Sequence, residues 1–262
     1  MRFAFTAIRD STTRAVIVRA SVFMMLAIIA SACGRADAAP QSGRDSSTAV
    51  TAQVATKALL TTTQPMSTPS DTAADSILIA KADKGRLLGR DAGTIWLVVI
   101  SDFQCPYCKT WHDSSMAQLK RDYIDPGKVR LAYLNLPLQM HPQARVEAEA
   151  ALCAAAQAKF WSFSDALFRD QAAIHKLIDA TSYLDSLART SQLDMDEYQR
   201  CKKSPSIRAL IDSDIQQANR IGVRSTPSFL IGEFLVEGAV PYPDFRRAVD
   251  SALSVARNKR AH

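Results

Sequence analysis

Two cysteines separated by a proline and a tyrosine, Cys105-Pro106-Tyr107-Cys108, are the residues of this 262-residue chain that most clearly indicate chemistry. Pro106 stands where a first helical turn would begin, a position that tolerates proline. The sulfur of Cys105 would then lie at the positive end of the helix dipole, which stabilises a thiolate and lowers its pKa, to ~3.5–7.5 in motifs of this kind. Cys108 lies one turn later on the same helix face, close enough for a disulfide. The motif predicts a redox pair in which Cys105 attacks and Cys108 resolves.

Zinc binding and an inert structural bridge are the alternative interpretations of this motif. A structural zinc site has four ligands, whereas the sequence offers Cys105, Cys108 and His112 without a second Cys-x-x-Cys. A structural bridge does not need a position where a strand runs into a helix. We therefore expect redox chemistry, with no metal and no cofactor.

A strand and a helix are needed to position the motif. Residues 95–100 form a short apolar run rich in β-branched side chains, which favours a strand covered on both faces. A helix is expected over residues 105–123, and the alternating pattern of residues 128–136 predicts a second strand. Strand, helix and strand in this order form a βαβ unit with a parallel strand pair.

The second half of the chain has a mainly helical pattern. Residues 142–221 carry apolar side chains at helical spacing, so a helical block interrupts the α/β pattern. Strands are expected at residues 228–231 and 234–237, and Gly232-Glu233 between them suits a two-residue type II′ hairpin. A last helix is predicted for residues 243–256.

The N-terminal segment indicates export. Four arginines precede an apolar stretch at residues 20–32. That stretch is too short for an ordinary transmembrane helix and suits a secretory signal. Small residues before Cys33 resemble a bacterial lipobox, so Cys33 is predicted to carry a lipid; ordinary cleavage near Ala38 and an uncleaved anchor are the alternatives. Residues 33–75 are predicted to be a disordered linker. Both lipidation at Cys33 and ordinary cleavage near Ala38 would leave the protein in the periplasm or cell envelope, where disulfides persist.

The charge balance argues against nucleic acid as a partner. The full chain has 32 basic and 26 acidic residues, and removing the four arginines and one aspartate of residues 1–32 leaves a net charge of +3. A charge this small does not indicate nucleic-acid binding.

Cys153 and Cys201 remain after Cys33, Cys105 and Cys108 have been assigned. In an oxidising compartment these two residues could form a structural disulfide. Two buried free thiols are the alternative.

Residues 101–108, SDFQCPYC, resemble the active-site segment of the DsbA-like exported thiol-disulfide oxidoreductases. The likeness continues through residues 137–144, 151–161 and 222–229, and it covers about residues 77–257. The order of predicted elements is also that of the thioredoxin plan. The resemblance therefore implies an α/β thioredoxin fold with an inserted all-helical subdomain.

The resemblance assigns roles on both sides of the predicted site. It implies that Pro227 is cis and packs beside the Cys105–Cys108 disulfide, with Cys105 exposed and Cys108 buried. The backbone of Thr226 would pair with an extended substrate segment, as in β-augmentation.

Pro106 and Tyr107 complete the predicted substrate-binding residues and are expected to set the balance between oxidant and reductant. One departure concerns the strand before the motif, where some family members carry an acidic residue and this chain has valine and isoleucine at residues 98–100. Asp102 is the nearest carboxylate. It would either assist proton transfer from Cys108 or cap the loop.

The expected domain plan has five parts. Residues 1–32 form the signal and 33–75 the linker. Residues 76–140 form the first half of the thioredoxin fold, 141–221 the helical insertion, and 222–258 the second half.

The resemblance implies an enzyme that forms disulfides in cysteine-containing exported proteins. A membrane redox partner of the DsbB or vitamin K epoxide reductase type would re-oxidise it. A periplasmic reductase or isomerase is the alternative activity. Isomerases of this type resemble dimers with an extra N-terminal domain, and no such dimerisation module is recognised in this sequence. A monomer is therefore expected. A non-catalytic binding module or holdase is the alternative of another class, and it predicts that Cys105→Ser leaves function intact.

Overall fold

The computed structural model describes residues 69–261. The predicted signal at residues 1–32 and the predicted lipidation site Cys33 lie outside the described residues. Within the described range, the helices lack the combination of length and apolarity that crossing a membrane requires.

The first helix, α1 (Pro69–Gly85), begins inside the segment predicted to be a disordered linker. The sequence of α1 has little amphipathic pattern, so its helical form was not predicted from periodicity. Contact with the insertion stabilises it instead, because α1 packs against the helix at Ala144–Ala156 and Ala82 is completely buried. Tertiary packing of this kind commonly decides whether a weakly patterned segment is helical.

Five strands form one mixed sheet in the order β1-β3-β2-β4-β5. The central strands β2 (Ile95–Ser101) and β3 (Val129–Asn135) are parallel, as the βαβ prediction requires. β1 (Leu87–Leu88), which was not predicted, pairs antiparallel with β3. On the other side β4 (Ser228–Ile231) pairs antiparallel with β2 and then with β5 (Phe234–Glu237).

One long helical segment follows β2 and carries the cysteine motif. It starts as α2 (Pro106–Trp111) and passes through a π-helical turn at His112–Met116. It then continues through α3 (Ala117–Leu119) and a second π-helical turn at Lys120–Ile124. The predicted helix at residues 105–123 therefore matches this segment closely.

Five helices form the insertion between β3 and β4, and a last helix covers one face of the sheet. Asp194 caps one of them by accepting a hydrogen bond from the backbone N–H of Glu197 at 2.9 Å. Pro142, where the predicted helical block begins, lies two residues before the first of them. The bounds are α4 (Ala144–Ala156), α5 (Phe160–Ile174), α6 (Thr181–Thr190), α7 (Met195–Lys203), α8 (Pro205–Arg220) and α9 (Tyr242–Ala261).

A disulfide joins Cys153 of α4 to Cys201 of α7. Both residues are buried, so the bridge lies inside the helical insertion rather than on its surface. Of the two alternatives left by the sequence, the structure therefore contains the bridge.

Aromatic side chains fill the space on each side of the central strands. Trp111, Phe229 and Phe245 pack together between the motif helix, the sheet and α9. On the insertion side, Phe103 stacks on Tyr133 with ring centroids 5.2 Å apart. Both aromatic groups belong to one hydrophobic core, which holds the carboxyl end of β2 in place, where the cysteine motif begins. The α/β thioredoxin fold with a helical insertion is thus confirmed.

Candidate active site

The cysteine motif begins where β2 gives way to α2. Cys105 occupies the N-cap position with extended backbone (φ −71°, ψ 122°), and Pro106 is the first helical residue. The backbone N–H of Cys105 donates to the Asp102 carbonyl at 3.2 Å. The helix therefore starts at the first cysteine, as its proline predicts.

Both cysteines of the motif are free thiols in this structure and both are buried. Cys108 is 1% exposed, as expected, but Cys105 is only 3% exposed, so the expectation of an exposed first cysteine is wrong. The loop before β4 lies over Cys105, whose sulfur is 3.4 Å from the Thr226 carbonyl oxygen. Tyr107, in contrast, is 66% exposed.

The pKa values of the two thiols are shifted in opposite directions. A hydrogen bond from Cys108 is the main cause that lowers the pKa of Cys105 to about 5, and the backbone N–H groups of Cys108 and Tyr107 add to it against the opposing effect of burial. Burial, followed by interaction with Cys105, raises the pKa of Cys108 well above its ordinary value. At neutral pH the pair therefore holds one thiolate, on Cys105, and one thiol, on Cys108.

The pairing of the sheet brings the Thr226–Pro227 segment to Cys105. The Thr226–Pro227 peptide bond is cis, as the resemblance implies. The following residue, Ser228, is opposite Ile100 in the antiparallel pairing of β4 with β2. This register places the Thr226 carbonyl beside the Cys105 sulfur.

Asp102 has a structural role in the loop that precedes the motif. Its Oδ1 accepts from the backbone N–H of Gln104 at 2.7 Å, and its Oδ2 accepts from that of Leu138 at 2.8 Å. Nδ1 of His141 lies 2.7 Å from the same Oδ2. Of the two roles left open by the sequence, these contacts favour capping of the loop.

Glutamine side chains that were not predicted connect the motif to the insertion. Nε2 of Gln171 on α5 donates to the carbonyls of Phe103 at 2.6 Å and Cys105 at 3.0 Å. Oε1 of Gln104 accepts from the backbone N–H of Gln143 at 2.8 Å. A signal for Gln171 did exist, because it is a polar residue on the face of α5 that also buries Phe160, Phe163 and Leu167.

Two further buried polar groups near the motif were also missed. Glu147 on α4 is 1% exposed and neither carboxyl oxygen has a hydrogen-bond partner. Burial, and then the charge of Asp102, raises the pKa of Glu147 to about 8. The hydroxyl of Tyr133 on β3 is buried and unpartnered as well.

A small cavity adjoins the second cysteine. Its volume is about 10 Å³, close to the space that one water molecule needs. Ser101, Cys108 and Tyr133 are among the residues that line it. The polar side chains of Ser101 and Tyr133 therefore lie near the buried Cys108 thiol.

His112, the third potential zinc ligand of the sequence, is occupied elsewhere. Its Nε2 lies 2.9 Å from Asp165 and its Nδ1 lies 3.3 Å from Asp113. Over the residues that the structure describes, no group of three or more histidine, cysteine or acidic side chains is arranged to hold a metal ion.

Comparison with known proteins agrees with this geometry. The sequence model of the thioredoxin family matches residues 81–251. The chain belongs to the thioredoxin family. It is 28% identical over 197 residues to the probable disulfide bond formation protein D of Bacillus cereus, which covers 70% of this chain and 89% of that protein.

Solved thioredoxin-family structures show the same fold. Oxidised BdbD from Bacillus subtilis aligns with a TM-score of 0.59 at 19% identity, over 65% of this chain and 94% of that one. Wolbachia pipientis alpha-DsbA1 aligns with a TM-score of 0.58 at 23% identity, over 66% and 93%. Within the thioredoxin family, the chain is a DsbA-like thiol-disulfide oxidoreductase.

Proposed function

We propose that this oxidoreductase inserts disulfides into exported proteins through Cys105 and Cys108. The observation that carries the proposal is the position of Cys105 at the start of α2, where a hydrogen bond from Cys108 and backbone N–H groups lower its pKa. A thiolate that is stabilised in the reduced protein favours the dithiol form, so the disulfide form becomes a stronger oxidant. The likeness to disulfide bond formation protein D of Bacillus supports the same direction.

The reaction starts from the Cys105–Cys108 disulfide. A substrate thiolate attacks the sulfur of Cys105, the bond to Cys108 breaks, and its electron pair goes to Cys108. A second substrate thiolate then attacks the substrate sulfur of the mixed disulfide and releases Cys105 as a thiolate. The substrate has lost two electrons and the protein has gained them.

Substrate binding is assigned to the surface around Cys105. The Thr226 backbone beside the cis Pro227 would pair with an extended substrate segment, which brings a substrate cysteine next to Cys105. The exposed ring of Tyr107 and the adjacent Pro106 would contact the same segment. Main-chain pairing suits this function because it accepts many sequences.

Location and partners follow from the N-terminal sequence and the family. We assign the protein to the periplasm or cell envelope, with Cys33 as the lipid attachment site. Cysteine-containing exported proteins are its substrates. A DsbB-like or vitamin K epoxide reductase-like membrane protein re-oxidises it, and lipid attachment would favour that encounter by raising the local concentration. The protein acts as a monomer.

The reduction potential of the chain from residue 33 onward, equilibrated against glutathione, tests the direction. A value near ~−120 mV is expected for an oxidant, whereas ~−270 mV, as in thioredoxin, would replace oxidase by reductase. Mass spectrometry of the Cys153–Cys201 bridge keeps that disulfide out of the measurement. Oxidative refolding of reduced ribonuclease should be lost in Cys105→Ser, and retained function there would favour a non-catalytic binding module.

A further inference from the structure

Positive charge is concentrated in two segments of the chain that lie outside the redox motif. Residues 120–130 and 246–260 carry nine basic and three acidic side chains, a net charge of +6. Residues 69–119 and 131–245 carry 16 basic and 20 acidic side chains, a net charge of −4. The small net charge of the whole chain therefore conceals a strong asymmetry.

A groove joins the two basic segments in the folded chain. Its volume is about 360 Å³, and Arg121, Lys128 and Arg246 line it together with two carboxylates, Asp122 and Asp250. Both carboxylates already lie close to arginines of the groove, Asp122 at 2.8 Å from Arg121 and Asp250 at 3.6 Å from Arg246. The exposed cations of the two segments form what we call the basic surface: Arg121, Lys128, Arg246, Arg257, Lys259 and Arg260.

The basic surface lies at the end of the sheet opposite to the cysteine motif. Thr94, just before β2, donates its N–H to the Lys128 carbonyl at 2.9 Å, and its own carbonyl accepts from Arg260 at 3.4 Å. The motif follows the other end of β2, which is seven residues long and so spans about 20 Å. A contact made by the basic surface therefore does not block the approach to Cys105.

Two exposed apolar side chains adjoin the basic surface. Phe234 is 38% exposed and Leu235 is 43% exposed, and both belong to β5 at the edge of the sheet. The turn before them is attached to α9, because Glu233 pairs with Lys259 at 2.7 Å. Basic side chains beside exposed aromatic and aliphatic ones are typical of surfaces that lie in the headgroup region of a bilayer.

We propose that the basic surface and the adjoining Phe234 and Leu235 dock on a bilayer of anionic lipids, with the cysteine motif directed away from it. Anionic headgroups attract lysine and arginine side chains that come within a Debye length, ~8–10 Å, of the bilayer. Burial of the two apolar side chains among the headgroups adds to this attraction. The ligand is thus the lipid surface itself.

The extent of the basic surface favours a bilayer over an acidic protein. Arg246 and Arg260 lie 14 residues apart on α9, which is about 21 Å along a helix, and Arg121 and Lys128 add cations from a second segment. A fluid layer of headgroups meets charges spread in this way without needing a matching shape. The predicted lipid at Cys33 lies 36 residues before Pro69, so it would keep the domain within about 130 Å of the bilayer.

Docking goes beyond the proposed function and does not depend on the redox roles of Cys105 and Cys108. A docked domain presents its motif to soluble exported proteins. Because salt screens the attraction, the contact is reversible, and the domain can leave the bilayer to meet the membrane redox partner of the proposed function.

Vesicle flotation tests the inference with the processed chain from residue 33 onward, in which Cys33→Ser removes the lipid attachment site. The vesicles contain phosphatidylcholine alone or with about 30% phosphatidylglycerol, which supplies the anionic headgroups. The chain should bind the anionic vesicles at about 50 mM salt, and the association constant should fall at least about 10-fold at about 500 mM salt. Binding to phosphatidylcholine alone should be weaker by a similar factor.

The variant Arg121→Gln/Arg246→Gln/Arg257→Gln removes three exposed cations and should lower the association constant for the anionic vesicles by about 10- to 100-fold. The control Lys176→Gln/Arg200→Gln/Lys203→Gln removes the same charge from exposed positions of the insertion and should change the constant by less than about 2-fold. Phe234→Ser/Leu235→Ser should also weaken binding but keep its salt dependence. Circular dichroism establishes that each variant is folded.

Three results would overturn the inference: no binding of the wild-type chain to anionic vesicles at low salt, equal losses in the two triple variants, or binding to polyglutamate without binding to the vesicles. The last result would assign the basic surface to an acidic protein. The reduction potential of Cys105 and Cys108 is measured without vesicles, so failure of the docking proposal leaves the proposed function standing, and the reverse also holds.

Discussion

At the scale of single residues, the sulfur of Cys105 is reactive and yet hidden. The thiolate is stabilised by the Cys108 thiol and by N–H groups at the start of α2, while the Thr226 carbonyl covers it. A substrate must therefore displace the contact with Thr226 to reach the sulfur. In the proposed reaction, the Thr226 backbone that covers the sulfur would also pair with the incoming chain.

The first prediction concerns the acidity of Cys105. Because the Cys108 hydrogen bond is the largest cause of the lowered pKa, Cys108→Ala should raise the pKa of Cys105 from about 5 toward its ordinary value. Iodoacetamide alkylation of Cys105 against pH measures this midpoint. Cys108→Ser keeps an O–H donor and is the matched control, expected to retain part of the lowering. A midpoint that stays near 5 in Cys108→Ala would assign the stabilisation to the helix start alone.

A second prediction concerns stability and Glu147. Its pKa is raised in the folded protein, so the folded state binds this proton more tightly than the unfolded chain, and stability falls as pH rises from ~4.3 to about 8. Glu147→Gln removes this fall. Compared with wild type, the variant should gain up to roughly 5 kcal/mol in free energy of unfolding between those pH values. Urea unfolding of oxidised protein at several pH values measures it, and parallel curves for the two proteins would contradict the raised pKa.

At the scale of elements, α5 supports the loop that carries the redox motif. Gln171 donates to two carbonyls of that loop, those of Phe103 and Cys105, which lie 68 and 66 residues earlier in the chain. The Cys105 carbonyl also accepts from the backbone N–H of Lys109 at 3.2 Å. The insertion is therefore part of the active-site scaffold as well as a cover for the sheet.

The third prediction follows from this support. Gln171→Ala removes the side-chain donor from two buried carbonyls, but the Cys105 carbonyl keeps its bond from the backbone N–H of Lys109. The variant should therefore lower the free energy of unfolding by ~1–3 kcal/mol, the cost of one unsatisfied buried group. The midpoint of urea unfolding measures the loss. Gln216→Ala, on the exposed face of α8, is the control and should change little. Equal effects in the two variants would show that the hydrogen bonds of Gln171 contribute nothing specific.

The sequence predicted those elements whose own residues determine them. Alternating or β-branched residues predicted β2, β3 and the hairpin strands, and Pro106 predicted where α2 begins. In the hairpin, only Gly232 of the two turn residues has a positive φ, of 58°, which fits the predicted type II′ turn.

Features that depend on contacts between distant segments were not predicted. α1 begins earlier than expected because α4 supports it, and β1 is a two-residue strand that only its pairing with β3 defines. In the site, the motif and the proline segment were recognisable, but the burial of Cys105 and the position of Glu147 were not. Both depend on side chains and loops that meet only in the folded chain.

At the scale of the whole molecule, a buried ion pair attaches the helical insertion to the rest of the domain, and a disulfide joins two helices within the insertion. Arg86, beyond α1, forms an ion pair with Asp214 of α8, and Asn135 at the end of β3 donates to the same carboxylate at 3.0 and 3.1 Å. The Cys153–Cys201 disulfide then closes α4 onto α7. The insertion that supports the active site is thus fixed both by the ion pair at α8 and by the disulfide between α4 and α7.

The fourth prediction concerns this disulfide. The bridge spans 48 residues, and the chain-entropy model gives about 4 kcal/mol for a loop of that length. The double variant Cys153→Ala/Cys201→Ala should lose about this much free energy of unfolding. Guanidinium unfolding with Cys105 and Cys108 kept oxidised in both proteins measures it. A loss well below 1 kcal/mol would mean that packing alone holds α4 to α7.

The bridge between Cys153 and Cys201 also has a consequence for biogenesis. Each newly synthesised copy must acquire a disulfide before its own insertion is complete, so the protein is a client of the chemistry that it performs. The first copies to be made depend on another oxidant, but later copies can be oxidised by mature ones. In a mixture that contains a chemical oxidant to regenerate the Cys105–Cys108 disulfide after each transfer, maturation should therefore accelerate with time, and seeding with finished protein should abolish the delay.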